Sequence, residues 1–312
     1  MPTGLCQKSK KLFIQSVTRR IEQENFQPYE KGAYPAGLNL IGPFDSSTGL
    51  GQSFRLLEKA VSALDVPYVI INYENNTQNR IKDLQHTDKV TDHLQYGVNI
   101  WHINPADFAE AYAAFGKKSF DRRYNIAFWL WELEDFPDEW VPFIRCFDEI
   151  WTPSEFISAG IRKKTEKKVF TIPYCVSADA DPDRYGRAYF HLPEDQFLFL
   201  MMYDVQSITE RKNPEGVIRA FRKAFSPAQT DVGLVIKMNS ADEDDMSMIR
   251  SMMNGYENVY LINENLEKIQ VNSLIACADV FVSLHRAEGF GLVLAEAMLN
   301  RIPVIATDWS AN

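Results

Sequence analysis

"ADVFVSLHRAEGFGLVLAEAMLNRIPVIATDW", residues 278–309, carries the reading of the fold. "DVFVSLH" is an apolar run of strand length, "GLVLAEAMLN" is a helix, and "PVIAT" is a second strand. Gly289 and Gly291, on either side of Phe290, allow a tight turn and a close backbone approach to a ligand. Two carboxylates, Glu288 and Glu296, sit eight residues apart, one in the turn and one on the helix. Taken alone, the pair suggests an acid–base couple. The strand-turn-helix context favours a different role. A helix start presents free N–H groups and partial positive charge, which suit a diphosphate. An acid on such a helix can accept hydrogen bonds from ribose hydroxyls, and an acid in the loop can face a sugar. The competing reading is a pair of solvated acids on a helix that merely covers the sheet.

The same alternation extends in both directions. Toward the N-terminus, "FLFLMMY", "VGLVIKMN" and "NVYLI" are strands, separated by the helices "PEGVIRAFRKAF" and "DEDDMSMIRSMMN", with "KIQVNSLIACA" as a third helix. The first of these helices opens on proline, and the second has acids in its first turn. Before them, "CVSADADPDRYGRAYFHLPED" is acidic and aperiodic and reads as a linker. A first half repeats the pattern: strands "GLNLIG", "PYVIINY", "GVNIWHI", "YNIAFWLWE", "DEIWTPS" and "KKVFTIPY", with helices "QSFRLLEKAVSAL" and "EFISAGIRKK". Ser154 caps the second of these. Strands alternating with helices predict parallel, doubly wound sheets. The expected organisation is an α/β chain of two Rossmann-like domains facing a cleft. Residues 1–36 form a helical extension, 37–175 the first domain, 176–195 a linker and 196–312 the second domain. The chain stops at "ATDWSAN" just after a strand, so the second domain reads as incomplete.

With 312 residues, 46% of them hydrophobic, the chain is long enough for two domains. A net charge of −9 argues against a nucleic-acid binder. Cys6, Cys146, Cys175 and Cys277 are scattered without a CxxC pair, which points to a reduced, cytoplasmic protein without a zinc site or disulfide framework. No apolar run approaches the roughly 20 residues of a membrane span. "KSKKLFIQSVTRRIEQE" is a basic amphipathic helix with Leu12, Phe13, Val17 and Ile21 near helical spacing. It reads as a solvated helix packed on the surface, with peripheral contact at the inner face of a membrane as the alternative. The basic run "RKKTEKK" at 162–168 has the same two readings, a solvated face or a contact for anionic lipid.

"EGFGLVLAEAM" followed by "PVIATD" resembles the nucleotide-sugar site of GT-B glycosyltransferases, specifically the retaining family 4 (glycosyltransferase group 1), whose E-x7-E motif Glu288 and Glu296 match. The resemblance covers roughly residues 37–312 and is strongest after Phe197. It implies that Glu288 contacts the donor sugar and Glu296 the ribose, while backbone around Gly289, Phe290, Gly291 and Leu292 meets the diphosphate. The activity implied is transfer of a sugar from a nucleoside diphosphate sugar to an acceptor hydroxyl. The expected acceptor is a glycan or lipid-linked molecule in polysaccharide or glycoconjugate biosynthesis, and no metal is required. Two other readings stay open, a non-catalytic nucleotide-sugar-binding protein and a nucleotide-sugar epimerase of the same fold.

"SITERKNPEGVIRAF" supplies Arg211 and Lys212 just before a helix. Two cations there can neutralise a departing diphosphate. As a mere solvated pair they would oppose the helix dipole. In the family these two groups stand apart in sequence, whereas here they are adjacent, and Lys212 is the better match. Lys237 ends a strand on the same edge, with a snorkelling lysine as the alternative. "GPFDSSTGLGQS" resembles the family's glycine-rich first loop, so Gly49 and Gly51 are candidates for close ligand approach. It is not GxGxxG, and an ordinary strand-to-helix turn competes. His102 ends a strand where family members carry a histidine near the transferred sugar; its alternative is a hydrogen-bonded core residue. Trp101, Trp129, Trp131 and Trp140 are stacking or core residues, and Glu132 is a weaker candidate. "DADPD" has the spacing of a metal-binding DxD, but its place in the linker favours a solvated loop.

Overall fold

A computed structural model of the chain describes residues 3–73, 81, 84–205, 209–239 and 241–311, with side chains described from residue 9 onward and not at Thr209. The chain divides into two compact units, Met1–Cys175 and Val176–Asn312.

The first unit runs α1 (Thr3–Gln23), β1 (Leu38–Gly42), α2 (Gly49–Ser62), β2 (Tyr68–Asn72), β3 (Val98–Trp101), α3 (Pro105–Phe115) and β4 (Tyr124–Phe128). A 3-10 helix (Asp138–Cys146), β5 (Glu149–Thr152), α4 (Glu155–Arg162) and β6 (Lys168–Thr171) complete it. The strands are parallel in the order β2-β1-β3-β4-β5-β6. Both faces are covered, so successive strand residues enter different cores. Leu40, Ile70, Ile100 and Ile126 pack on one side, and Ile41, Ile71, Trp101 and Ala127 on the other. Near the start of three neighbouring strands, Asn39, Asn99 and Asn125 lie in register and are buried. Asn39 Nδ2 donates to Asn99 Oδ1 at 2.8 Å, and Asn99 Nδ2 to Asn125 Oδ1 at 2.8 Å. Backbone carbonyls at Tyr96, Ser119, Phe120 and Arg123 take the remaining amide protons. A one-residue slip of any of these strands would break the ladder and invert its apolar faces.

Several expectations change here. Residues 1–36 belong to the first unit: Ile14, Val17 and Ile21 of α1 pack into its core, while Leu12 and Phe13 are exposed. The helix α3 was not expected after "GVNIWHI". Asn104-Pro105 closes the strand, but the proline stands at the first helical position, where its fixed φ and missing N–H suit a helix start.

The second unit runs β7 (Phe197–Asp204), α5 (Thr209–Lys212), α6 (Pro214–Ala224), β8 (Val232–Asn239), α7 (Glu243–Met252) and β9 (Val259–Ile262). It continues through α8 (Lys268–Ala276), β10 (Val280–Ser283), α9 (Leu292–Leu299) and β11 (Val304–Ala306). Its strands are parallel in the order β11-β10-β7-β8-β9. Alternating residues again feed two cores, Leu198 and Leu200 on one face, Met201 and Tyr203 on the other. Residues 176–195, expected as a linker, join this unit. Tyr185, Phe190 and Leu192 are buried in its core, and Arg187 donates to the carbonyls of Cys277, Pro193 and Gln196 and pairs with Asp279 at 2.8 Å.

Candidate active site

In both sheets the strand order reverses about the first strand, between β1 and β3 and between β7 and β10. Such a switch point opens a crevice beyond the carboxyl ends of the two strands, where helices on opposite faces diverge. In the second unit the loops that leave β7 and β10 are bound to each other there. Arg286 N–H donates to Arg211 O at 2.8 Å, and Asn213 Nδ2 donates to Leu284 O at 2.8 Å. Asn213 adopts a left-handed conformation (φ 52°), and its Oδ1 accepts the Gly216 N–H at the start of α6.

This brings Arg211, Lys212 and Glu288 together. Lys212 Nζ lies 2.5 Å from Glu288 Oε2, and Arg211 Nη1 lies 3.0 Å from Ala287 O and 3.5 Å from the same carboxylate oxygen. All three side chains are at least three-quarters buried. Burial alone would raise the Glu288 carboxyl, but Lys212 and Arg211 outweigh it and hold it below the usual carboxylate range. Two cations against one carboxylate leave an excess positive charge at the switch point. Three residues on, Gly291 stands at φ 76°, ψ 51° as the residue preceding α9. A side chain there would be strained, and without one the helix start lacks a side-chain cap. The Glu288 N–H is taken by Ser310 Oγ at 2.9 Å.

Glu296 lies apart from that trio, on α9, and is 2% exposed. Its Oε1 pairs with Lys268 Nζ at the start of α8; its Oε2 is buried without a hydrogen-bond partner. An unsatisfied buried acceptor costs about 1–3 kcal/mol. Burial pushes the Glu296 carboxyl up, against the opposing pull of Lys268. Lys237 on β8 is also 2% exposed. Its Nζ donates to Met238 O at 2.7 Å and Asn239 Oδ1 at 2.5 Å, both neutral oxygens. Burial lowers its pKa to about 8, with Asp204 and Glu264 opposing.

In the first unit, Gly49, Gly51 and His102 gather at the β1/β3 switch point. Thr48 caps α2 by accepting the Gly51 N–H at 3.3 Å. A Cβ on Gly51 would fall 2.2 Å from Ser46 O, whereas one on Gly49 would meet nothing within 4 Å. Packing therefore requires glycine at 51 and leaves open space at 49. His102 is completely buried, stacked on Phe128 at 4.7 Å, with Nε2 2.7 Å from Ser53 Oγ. Ser53 in turn donates to Tyr174 OH at 2.5 Å. That chain makes Nε2 the donor and leaves Nδ1 a buried acceptor without a partner. Burial lowers the His102 pKa to about 3, so the ring is neutral at physiological pH.

Trp101 and Trp129 are fully buried and Trp140 nearly so, all in one core, and Trp131 packs against it; Glu132 is half-buried. The basic run 162–168 is largely engaged within its unit. Arg162 pairs with Glu155, Lys163 with Glu134 at 3.6 Å and Lys164 with Asp138 at 2.6 Å. Lys167 donates to carbonyls that include Ile144 O at 2.9 Å. Among the described residues no group of three or more His, Cys, Asp or Glu is placed to hold a metal ion, and no helix is long and apolar enough to cross a membrane. Lys268 and Asn213 are site neighbours that the sequence reading missed. A lysine at the first position of a helix, against the dipole, was the available signal for Lys268.

Residues 188–312 match the family model of glycosyl transferases group 1. No curated protein matches the sequence. Among solved structures the chain is similar to the sucrose-phosphate synthase from Thermosynechococcus elongatus, with 15% identity, 88% of this chain and 82% of that one covered, and a TM-score of 0.64. It is also similar to WaaG, a glycosyltransferase involved in lipopolysaccharide biosynthesis, at 16% identity, 87% and 81% coverage and a TM-score of 0.61. HepE of Anabaena, in complex with UDP and glucose, matches at 12% identity, 88% and 82% coverage and a TM-score of 0.58. At such identities the likeness is one of fold. The chain has the GT-B fold of these structures, and its residues 188–312 match the family of glycosyl transferases group 1.

Proposed function

We propose that this protein moves a sugar from a nucleoside diphosphate sugar to an acceptor hydroxyl with retention of anomeric configuration. The observation that carries the reading is the Arg211–Lys212–Glu288 cluster at the switch point of the second sheet, just ahead of the glycine-started α9. Glu288 offsets part of the charge of the two cations. A diphosphate would take over that role, with Lys212 and Arg211 on its oxygens and the N–H groups at the start of α9 facing it. Glu288, released from Lys212, would then accept hydroxyl protons of the donor sugar. HepE binds UDP and UDP-glucose in its structures, which supports a nucleotide-sugar donor here.

In this reading the transition state is oxocarbenium-like, and charge grows on the departing diphosphate. Cations fixed before the reaction stabilise that charge without reorganisation, and the leaving phosphate takes the acceptor proton. His102 is neutral and is held through Ser53 and Tyr174. Gly49 leaves room for a ligand, and Lys237 adds positive charge along the same sheet edge. The acceptor class is a glycan or lipid-linked hydroxyl in polysaccharide or glycoconjugate synthesis, and the protein acts in the cytoplasm.

Calorimetry with UDP- and GDP-sugars tests donor binding, and NMR of the product's anomeric centre tests retention. Binding by Lys212→Ala and Glu296→Ala as tight as by the unmodified chain would refute the site. A changed sugar on the same nucleotide, formed without acceptor, would replace the transferase with an epimerase.

A further inference from the structure

Among the described residues, Glu296 is a buried carboxylate with half of its hydrogen-bonding capacity unused. One oxygen is taken by Lys268, and the other is enclosed without a partner. Buried polar atoms are almost always satisfied, so an orphan on a charged group points to a partner that arrives from outside. Lys268 is as unusual as the acid it meets. It is the first residue of α8, where a positive charge opposes the helix dipole, so helix stability does not account for it. Its side chain is 40% exposed, whereas the carboxylate it meets is 2% exposed. Among the described residues, Lys268 is the charged group that acts on Glu296.

We propose that Lys268 is a positioning residue for nucleoside recognition: it anchors Glu296 through Oε1, so that Oε2 accepts hydroxyl hydrogen bonds from the ribose of a nucleoside diphosphate. The inference rests on the donor-site reading above and adds to it a residue that touches no part of the reacting sugar. Removing the ammonium leaves burial unopposed, so the carboxyl takes up a proton at higher pH and loses its charge-assisted bond to the ribose. Affinity in the unmodified chain falls only as the pH drops through the Glu296 pKa. In a chain without the lysine charge, that fall moves to higher pH.

The experiment is calorimetry of the full chain with UDP, GDP and their 2′-deoxy forms between pH 5.5 and 9. It compares the unmodified protein with Lys268→Met, which keeps the apolar stem, and Lys268→Arg, which keeps the charge. The expected result is a loss of about tenfold in affinity for the better ribonucleotide in Lys268→Met at pH 7, recovering toward pH 9. Lys268→Arg restores most of the binding, and the preference for ribo- over deoxyribonucleotide shrinks in Lys268→Met. Equal affinity and an unchanged pH profile in Lys268→Met, while the unmodified chain binds and prefers the ribonucleotide, would overturn this inference alone. An unmodified chain that binds neither diphosphate would overturn the donor-site reading and this inference with it. Unfolding temperatures of both variants separate binding from folding; a Lys268→Met chain that is unfolded at pH 7 would assign Lys268 a structural role and overturn the proposal.

Discussion

Asn39, Asn99 and Asn125 in the first unit and Lys237 and Glu296 in the second are buried to the same degree, yet they are treated oppositely. Each amide of the ladder gives and receives hydrogen bonds from its neighbours or the backbone. It is neutral, complete and at the start of the strands, away from the switch-point end of its sheet. In the second unit the buried groups carry charge and are incompletely matched. Among the described residues, Lys237 hydrogen-bonds only neutral oxygens, and Glu296 keeps one oxygen without a partner. Completed neutral networks specify register, whereas unmatched buried charge destabilises a fold and persists where a ligand completes it. On the function proposed above, the ladder belongs to architecture and the charges to binding.

Four substitutions sharpen or break that division. Largest is Lys212→Ala, expected to lower kcat by about 10²–10³ through loss of a leaving-group cation, with little change in unfolding temperature. Steady-state turnover with the donor reads it, and a change confined to stability would move Lys212 to the architectural side. Next, Asn99→Leu interrupts the ladder at its middle and should destabilise by about 2–3 kcal/mol in urea titration, with KM for the donor unchanged. A loss below about 0.5 kcal/mol would remove the ladder from the account of register.

Lys237→Met follows, with an expected gain of about 2 kcal/mol in stability at pH 7. Its pKa in the folded chain, about 8, lies below the ordinary lysine value of 10.5, so the folded state binds fewer protons between those limits. Stability of the unmodified chain therefore rises with pH across that window, and the gap to Lys237→Met closes. Thermal unfolding from pH 7 to 10.5 checks the sign; a gap that widens would contradict an ammonium that is buried at a cost. Smallest is Gly49→Ala, where no atom lies within 4 Å of the added methyl. Stability should rise by no more than about 1 kcal/mol, so an increase in KM would report a ligand at that position. Gly51→Ala is the internal contrast, since its methyl would collide with Ser46 O.

The alternation of short apolar runs with amphipathic helices determined the two parallel sheets, because periods of 2 and 3.6 are written locally. The Gly-Phe-Gly turn located the start of α9, because only glycine is at ease at the positive φ of residue 291. Glu288, Arg211 and Lys212 were legible as candidates, since cations ahead of a helix and acids around a glycine turn are locally anomalous. Their meeting was not. It depends on strand order, which puts β10 beside β7 although more than 70 residues separate Arg211 from Glu288. The places of α1 and of residues 176–195 were missed for the same reason, since which apolar side chains find a core is settled by neighbours distant in sequence. So too were the amide ladder and the pairing of Lys268 with Glu296. Local sequence determines which elements form. Hydrogen-bond partners and burial are properties of juxtaposition, and those only the tertiary structure decided.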